Sequence, residues 1–136
     1  MKKLILSTLA LALALFAVPS ENWAQPKLDA QIYELRTYTT HEGSLPKLHA
    51  RFRDHTNHIF VKHGMKLIAY WVPAAEDNKL IYVLAFPSVE AREKSWQAFR
   101  DDPEWQAAYK ASRADGPIVE KVESVIMFPT DYSPIR

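Results

Sequence analysis

Alternation of apolar and polar residues marks four strand-like runs along the chain, and helical spacing marks the stretches between them. Residues 31–40 alternate in polarity and are rich in Tyr, Thr and Ile, which suit a pleated, half-buried strand. From Gly43-Ser44 the period becomes helical. Leu45, Leu48, Phe52, Thr56 and Ile59 fall on one face, Pro46 lies in a first turn that needs no N–H from it, Ser44 is placed to cap the start, and Gly64 stops the helix after His63. Residues 66–72 and 79–86 are β-rich and flank the turn formers Pro73-Ala74-Ala75-Glu76-Asp77-Asn78, a pattern that predicts a hairpin. Ser88 is placed to cap a second helix with Trp96 and Phe99 facing inward. Asp102-Pro103-Glu104 restarts it as a third helical piece, and Asp115-Gly116-Pro117 ends that piece. Residues 119–128 supply a fourth strand. The order is β-α-β-β-α-β, an α+β arrangement with its second helical region split in two.

The middle strands are apolar on both parities. Leu67, Ala69 and Trp71 alternate with Ile68, Tyr70 and Val72, and Tyr82, Leu84 and Phe86 alternate with Ile81, Val83 and Ala85. Helices cover one face of an antiparallel sheet and the other face is usually polar. Apolar residues on both faces therefore predict that the second face meets another subunit, and the expected partner is a second copy in a homodimer.

The N-terminus changes the picture. Lys2 and Lys3 precede an unbroken apolar run from Leu4 to Val18, the layout of a secretory signal peptide. The run falls short of the ~20 apolar residues that a membrane span needs, and a polar, proline-broken stretch follows, so cleavage is expected rather than a stable membrane anchor. The favoured cut is after Ala24, giving a signal peptide over 1–24 and one domain over 25–136, with a cut after Ser20 left open. The expected location is periplasmic or secreted. Loss of Lys2, Lys3 and Glu21 leaves 15 basic and 15 acidic residues, a balance without the cationic surplus a nucleic-acid binder uses. Without cysteine there is no disulfide, no thiolate zinc site and no lipid-bearing thiol, so a domain of about 110 residues relies on its core.

Candidate chemistry is sparse. The chain has no G-x-S-x-G, no H-E-x-x-H and only three glycines, so nucleophile elbows, zincin helices and phosphate-cradling loops are not expected, and no motif asks for a cofactor. The five histidines lie between His41 and His63, yet no pair is spaced i, i+4 on one helix face, so a metal site is not expected. Glu34, Arg36 and Tyr38 alternate on the first strand and share a face, either the interior of a dimer or the helix-covered side. Charges inside a sheet need partners. Two readings stay open: an Arg36–Glu34 ion pair that fixes structure, or a ligand carboxylate or enolate held by Arg36. Trp71 and Tyr70, near the end of the second strand, are candidates for a cavity mouth.

Four strings of the chain together resemble the NIPSNAP family: Tyr33-Glu34-Leu35-Arg36-Thr37-Tyr38, His63-Gly64-Met65-Lys66-Leu67, Asp102-Pro103-Glu104-Trp105-Gln106 and Phe128-Pro129-Thr130-Asp131-Tyr132-Ser133-Pro134. They occur in the family's order and span roughly residues 30 to 136. The resemblance implies a ferredoxin-like antiparallel sheet that pairs into a dimeric α/β barrel. It also singles out His63 at a family position, where a protonated imidazole would favour the helix C-terminus, and an extended tail that would cross the partner subunit. Two functions are expected from this point. The first is a non-catalytic module that binds a small apolar or anionic molecule or another protein. The alternative is an enzyme similar to the cofactor-independent monooxygenases of the same barrel architecture, with Arg36 or His63 stabilising an anionic intermediate. The candidate ligand-binding residues are Glu34, Arg36, Tyr38, His63 and Trp71. A closed apolar cavity holding Arg36 or His63 would favour the enzyme, and a filled core the module.

Overall fold

The structure, a computed structural model, describes residues 31–135. The expected signal peptide and both candidate cleavage sites lie outside the described residues. The elements run β1 (Ile32–Thr40), α1 (Leu45–Arg51), a π-helical turn (Phe52–Thr56), α2 (Asn57–Lys62), β2 (Lys66–Trp71), β3 (Lys79–Phe86), α3 (Val89–Asp101), α4 (Pro103–Ala111) and β4 (Val119–Met127). The four strands form one sheet in the order β2-β3-β1-β4, and every neighbouring pair is antiparallel. This is the β-α-β-β-α-β arrangement read from the pattern, with the second helical region split at Asp102. Among the described residues no helix is long and apolar enough to cross a membrane.

The helices cover one face of the sheet. Between the layers lies a core of Ile32, Leu48, Phe52, Ile59, Phe60, Tyr82, Leu84, Phe86, Trp96 and Phe99, with Tyr38, Tyr70 and Trp105 packed against it. Its aromatic rings meet mostly edge to face, as at Phe60–Trp96 (5.4 Å, 83°) and Tyr38–Phe52 (5.8 Å, 82°), the geometry that ring quadrupoles favour. On the other face a smaller cluster, Tyr33, Val83 and Ala85, packs with Leu35, Ile68 and Met127. Both faces of the sheet therefore carry apolar residues, as the doubled parity predicted.

Three local details depart from the simple pattern. Ser44 stands at the start of α1, but its side chain makes no cap bond. Ser88 and Asp102 do cap, accepting from the Ala91 and Glu104 amides at 3.1 and 2.8 Å. The first helical run is interrupted by the π turn, where the Asn57 N–H reaches back to the Phe52 carbonyl. Arg51, the last residue of α1, and Phe52, the first of the turn, are both buried. In β2 the register shifts between Leu67 and Ala69. The bulge breaks the expected alternation: Leu67 and Tyr70 pack into the helix-side core, whereas Ile68 joins the opposite cluster. Gly64, at φ 77°, takes the left-handed conformation that ends α2, with the Met65 amide bonded to the Phe60 carbonyl at 3.0 Å.

Candidate functional site

β1 presents Glu34, Arg36 and Tyr38 to the helices, which decides the face that the sequence left open. Register sets Arg36 between Tyr82 of β3 and Ser124 of β4. The Glu34 side chain is wholly buried and its carboxylate accepts five hydrogen bonds. Arg92 of α3 approaches side-on, Nε to Oε2 at 2.8 Å and Nη2 to Oε1 at 2.7 Å. Trp96 Nε1 donates to Oε2 at 2.7 Å, Ser124 Oγ to Oε1 at 2.6 Å, and Arg36 Nη1 to Oε1 at 2.8 Å. Burial by itself pushes the carboxyl up, but the bonds from Arg92, Ser124, Trp96 and Arg36 outweigh it and hold Glu34 at about 2. The Arg36–Glu34 ion pair, one of the two readings that the sequence left open, is present as one part of a larger network.

Arg36 is largely covered, with its side chain 15% exposed. Its Nη2 reaches the Tyr38 hydroxyl at 3.4 Å and its guanidinium lies over the Trp96 ring at 4.4 Å. Burial works against the cation, but Tyr38, Tyr82 and Glu34 more than compensate and keep it charged. Two guanidinium groups, Arg36 and Arg92, thus meet one carboxylate, leaving one positive charge in excess. Burial pushes the phenols of Tyr82 and Tyr70 up, so both are neutral at ordinary pH. Tyr70 donates to Asn57 Oδ1 at 2.9 Å, whereas the Tyr82 hydroxyl has no well-formed hydrogen bond.

Beside this network lies a cleft of about 600 Å³, walled by Arg36, Tyr38, Arg92, Trp96, Trp105 and Tyr109 among others. Its volume is in the range of small-molecule sites. Arg51, only 4% exposed, sits behind it, with its guanidinium 5.3 Å from the Trp105 ring and 5.4 Å from the Tyr109 ring. Its Nη1 bonds Ser112 Oγ at 3.2 Å, and no carboxylate pairs with it among the described residues. Burial lowers its pKa from the ordinary arginine value.

The other predicted residues lie elsewhere. His63 does not line the cleft. It bonds Asp102 Oδ2 through Nε2 at 2.6 Å, beside Lys62 at 2.8 Å from the same oxygen, while His58 pairs with Glu104. Those bonds, first from Lys62 and then from His63, hold the Asp102 carboxyl well below its ordinary value. The His63-Gly64 and Asp102-Pro103-Glu104 strings thus meet as a latch between the end of α2 and the start of α4. Trp71 is on the opposite face of the sheet, half-exposed. There it bounds a cavity of about 260 Å³ with Tyr33, Val83, Met127 and the tail residues Phe128 and Pro129. The tail, expected to cross a partner subunit, lies against the chain's own sheet. Trp71 thus lines a cavity other than the one that holds Arg36.

Sequence reasoning missed Arg92, Ser124 and Arg51. Arg92 carried a signal, since 92, 96 and 99 share the spacing of one helix face and the other two positions are Trp and Phe. Ser124 carried none without the strand register. Arg51 follows Leu48 at i+3, a weak hint.

Comparison with known proteins agrees with this architecture. A NIPSNAP family protein from Agrobacterium tumefaciens is 26% identical, with a TM-score of 0.70 over 79% of this chain and 96% of its own. A NIPSNAP-like domain protein from Burkholderia xenovorans is 20% identical, with a TM-score of 0.69 over 78% of this chain and 90% of its own. SnoaB, a cofactor-independent oxygenase from Streptomyces nogalater, shares the fold at 13% identity, with a TM-score of 0.56 over 77% of this chain and 98% of its own. No curated protein matches in sequence. The NIPSNAP family profile aligns with residues 33–134, from the Glu34 strand through the tail, and the chain belongs to that family.

Proposed function

We propose that the chain is an exported homodimeric binding protein that holds a small molecule in the cleft between β1 and the α3–α4 helices, with Arg36 as its polar contact. The observation that carries this reading is the set of buried side-chain polar atoms without a hydrogen bond among the described residues. They are Arg36 Nε, Arg51 Nε and the Tyr82 hydroxyl. Of these groups Arg36 lines the cleft and reaches the Tyr38 hydroxyl, whereas Arg51 and Tyr82 do not line it. An unpaired buried polar group is costly and calls for an explanation, and for Arg36, in the cleft wall, a bound polar molecule supplies one. Native mass spectrometry of protein purified from its own host tests it. A retained small molecule is expected in the wild type and absent from Arg36→Met. A wild type that retains nothing, or a variant that retains the same molecule, overturns the reading.

Pairing through the open sheet face is supported by the half-exposed Trp71 and Val125 on that side. Export is supported by the dibasic, apolar start of the sequence. A second reading, oxygenase chemistry of the kind named for SnoaB, is favoured by the aromatic lining of the cleft with Arg36 in its wall. Oxygen uptake on addition of the retained molecule distinguishes it from simple binding.

A further inference from the structure

The cation–π contacts among the described residues are concentrated on this one cleft. Arg36 lies over Trp96 at 4.4 Å and Tyr38 at 5.5 Å, Arg51 over Trp105 at 5.3 Å and Tyr109 at 5.4 Å, and Arg113 over Tyr109 at 4.8 Å. Tyr38, Trp96, Trp105 and Tyr109 are four of the five rings that wall the cleft, the fifth being Phe99. An aromatic face is negative because of the ring quadrupole, and a guanidinium over it offsets that charge. Rings so backed repel an electron-rich partner less. They stack best on a π-system that itself carries delocalised negative charge.

The polar groups at the cleft agree with this. Arg36 Nε is buried without a partner. Arg92, in the cleft wall, gives Nε and Nη2 to Glu34, and its Nη1 makes no side-chain bond among the described residues. The cleft lining carries Arg36, Arg92 and Arg100 against Glu93, with Glu34 buried beneath, and Arg51 meets no carboxylate among the described residues, so the surroundings are net positive. We infer that the cleft selects a planar aromatic anion, such as an aryl carboxylate, over a neutral arene or a saturated anion of the same size. The inference rests on the reading of the cleft as a ligand site and adds the chemical class of the ligand.

Calorimetric titration of the full mature chain with three bicyclic probes tests it: 2-naphthoate, 2-naphthylmethanol and decahydro-2-naphthoate. The first is expected to bind about tenfold more tightly than either of the others, since losing the charge or the ring each removes roughly one factor of ten. Arg113→Gln removes an exposed guanidinium over Tyr109. It is expected to weaken 2-naphthoate about twofold, as befits an exposed cation–π pair, and to leave decahydro-2-naphthoate unchanged. Equal affinity for the saturated anion, equal affinity for the neutral alcohol, or no binding of 2-naphthoate each overturns the inference. If host-purified protein retains an aliphatic molecule that Arg36→Met releases, the ligand class falls while the cleft reading stands.

Discussion

Glu34→Gln is the perturbation whose size the structure determines best. The carboxylate is fully buried and faces two guanidinium groups, so neutralising it strands Arg36 and Arg92 without a counter-charge and turns one acceptor oxygen into an NH₂ aimed at other donors. Removing one partner of a buried ion pair costs about 3–5 kcal/mol, and that is the expected loss at pH 7. The pH dependence gives an independent measure. In the folded protein the group is held at about 2, below its ordinary value of 4.5. At about 1.4 kcal/mol per unit, the depression contributes about 3 kcal/mol of stability. Because the folded value is the lower one, this contribution is complete above about pH 4.5 and is lost as the pH falls towards 2. Glutamine cannot titrate, so the variant lacks this loss.

Urea unfolding followed by tryptophan fluorescence, which Trp96 reports from within the network, is run on both proteins from pH 7 to pH 3. The stability gap between them is expected to narrow by about 2 kcal/mol over that range. A gap that does not change with pH, or one below about 1 kcal/mol at pH 7, would refute the assignment of Glu34 as the charged hub of the fold.

Arg36→Met is expected to cost only about 1.5–3 kcal/mol in the same assay, since Arg92, Trp96 and Ser124 still hold Glu34. Arg36→Met with Arg92→Met should cost more than the two single losses together, because only the pair leaves the carboxylate without a cation. Asp102→Ala removes the cap of α4 and the acceptor of both Lys62 and His63, so the melting temperature should fall, whereas Asp102→Asn, which keeps the cap, should fall less. Sedimentation at micromolar concentration is expected to show a dimer with an interface above ~1,200 Å², and Val125→Lys on the open face should shift it towards monomer. N-terminal sequencing of the mature protein should begin after Ala24 or Ser20; an intact Met1 in a membrane fraction would oppose export.

What could be read from the sequence was local. The strand and helix positions emerged because each element carries its own periodicity, and Ser88, Asp102 and Gly64 mark boundaries through cap chemistry that acts within three residues. The β2 bulge escaped notice because Ile68 and Ala69 are both apolar, so a one-residue slip leaves no mark on the pattern. The π turn escaped for a related reason: the stripe Leu45, Leu48, Phe52, Thr56 and Ile59 is equally consistent with a continuous α-helix.

The candidate site divides along the same line. Arg36 could be singled out because a strand in a sheet with apolar residues on both faces has no wet side, and a charge on either face calls for a partner. Nearby Glu34 could then be nominated. The other partners stand 58, 62 and 90 residues away, on α3 and β4, where a serine on an edge strand and an arginine on a helix read as ordinary solvated positions. Arg51 was the least visible of all, since a charged residue in an amphipathic helix belongs by default to the wet side, and here it lies behind Trp105. Excess positive charge at the cleft is therefore a property of the completed fold. Glu34 is neutralised only once β1, β4 and α3 have come together, and the cations it does not neutralise are those that the proposed binding reading assigns to a ligand.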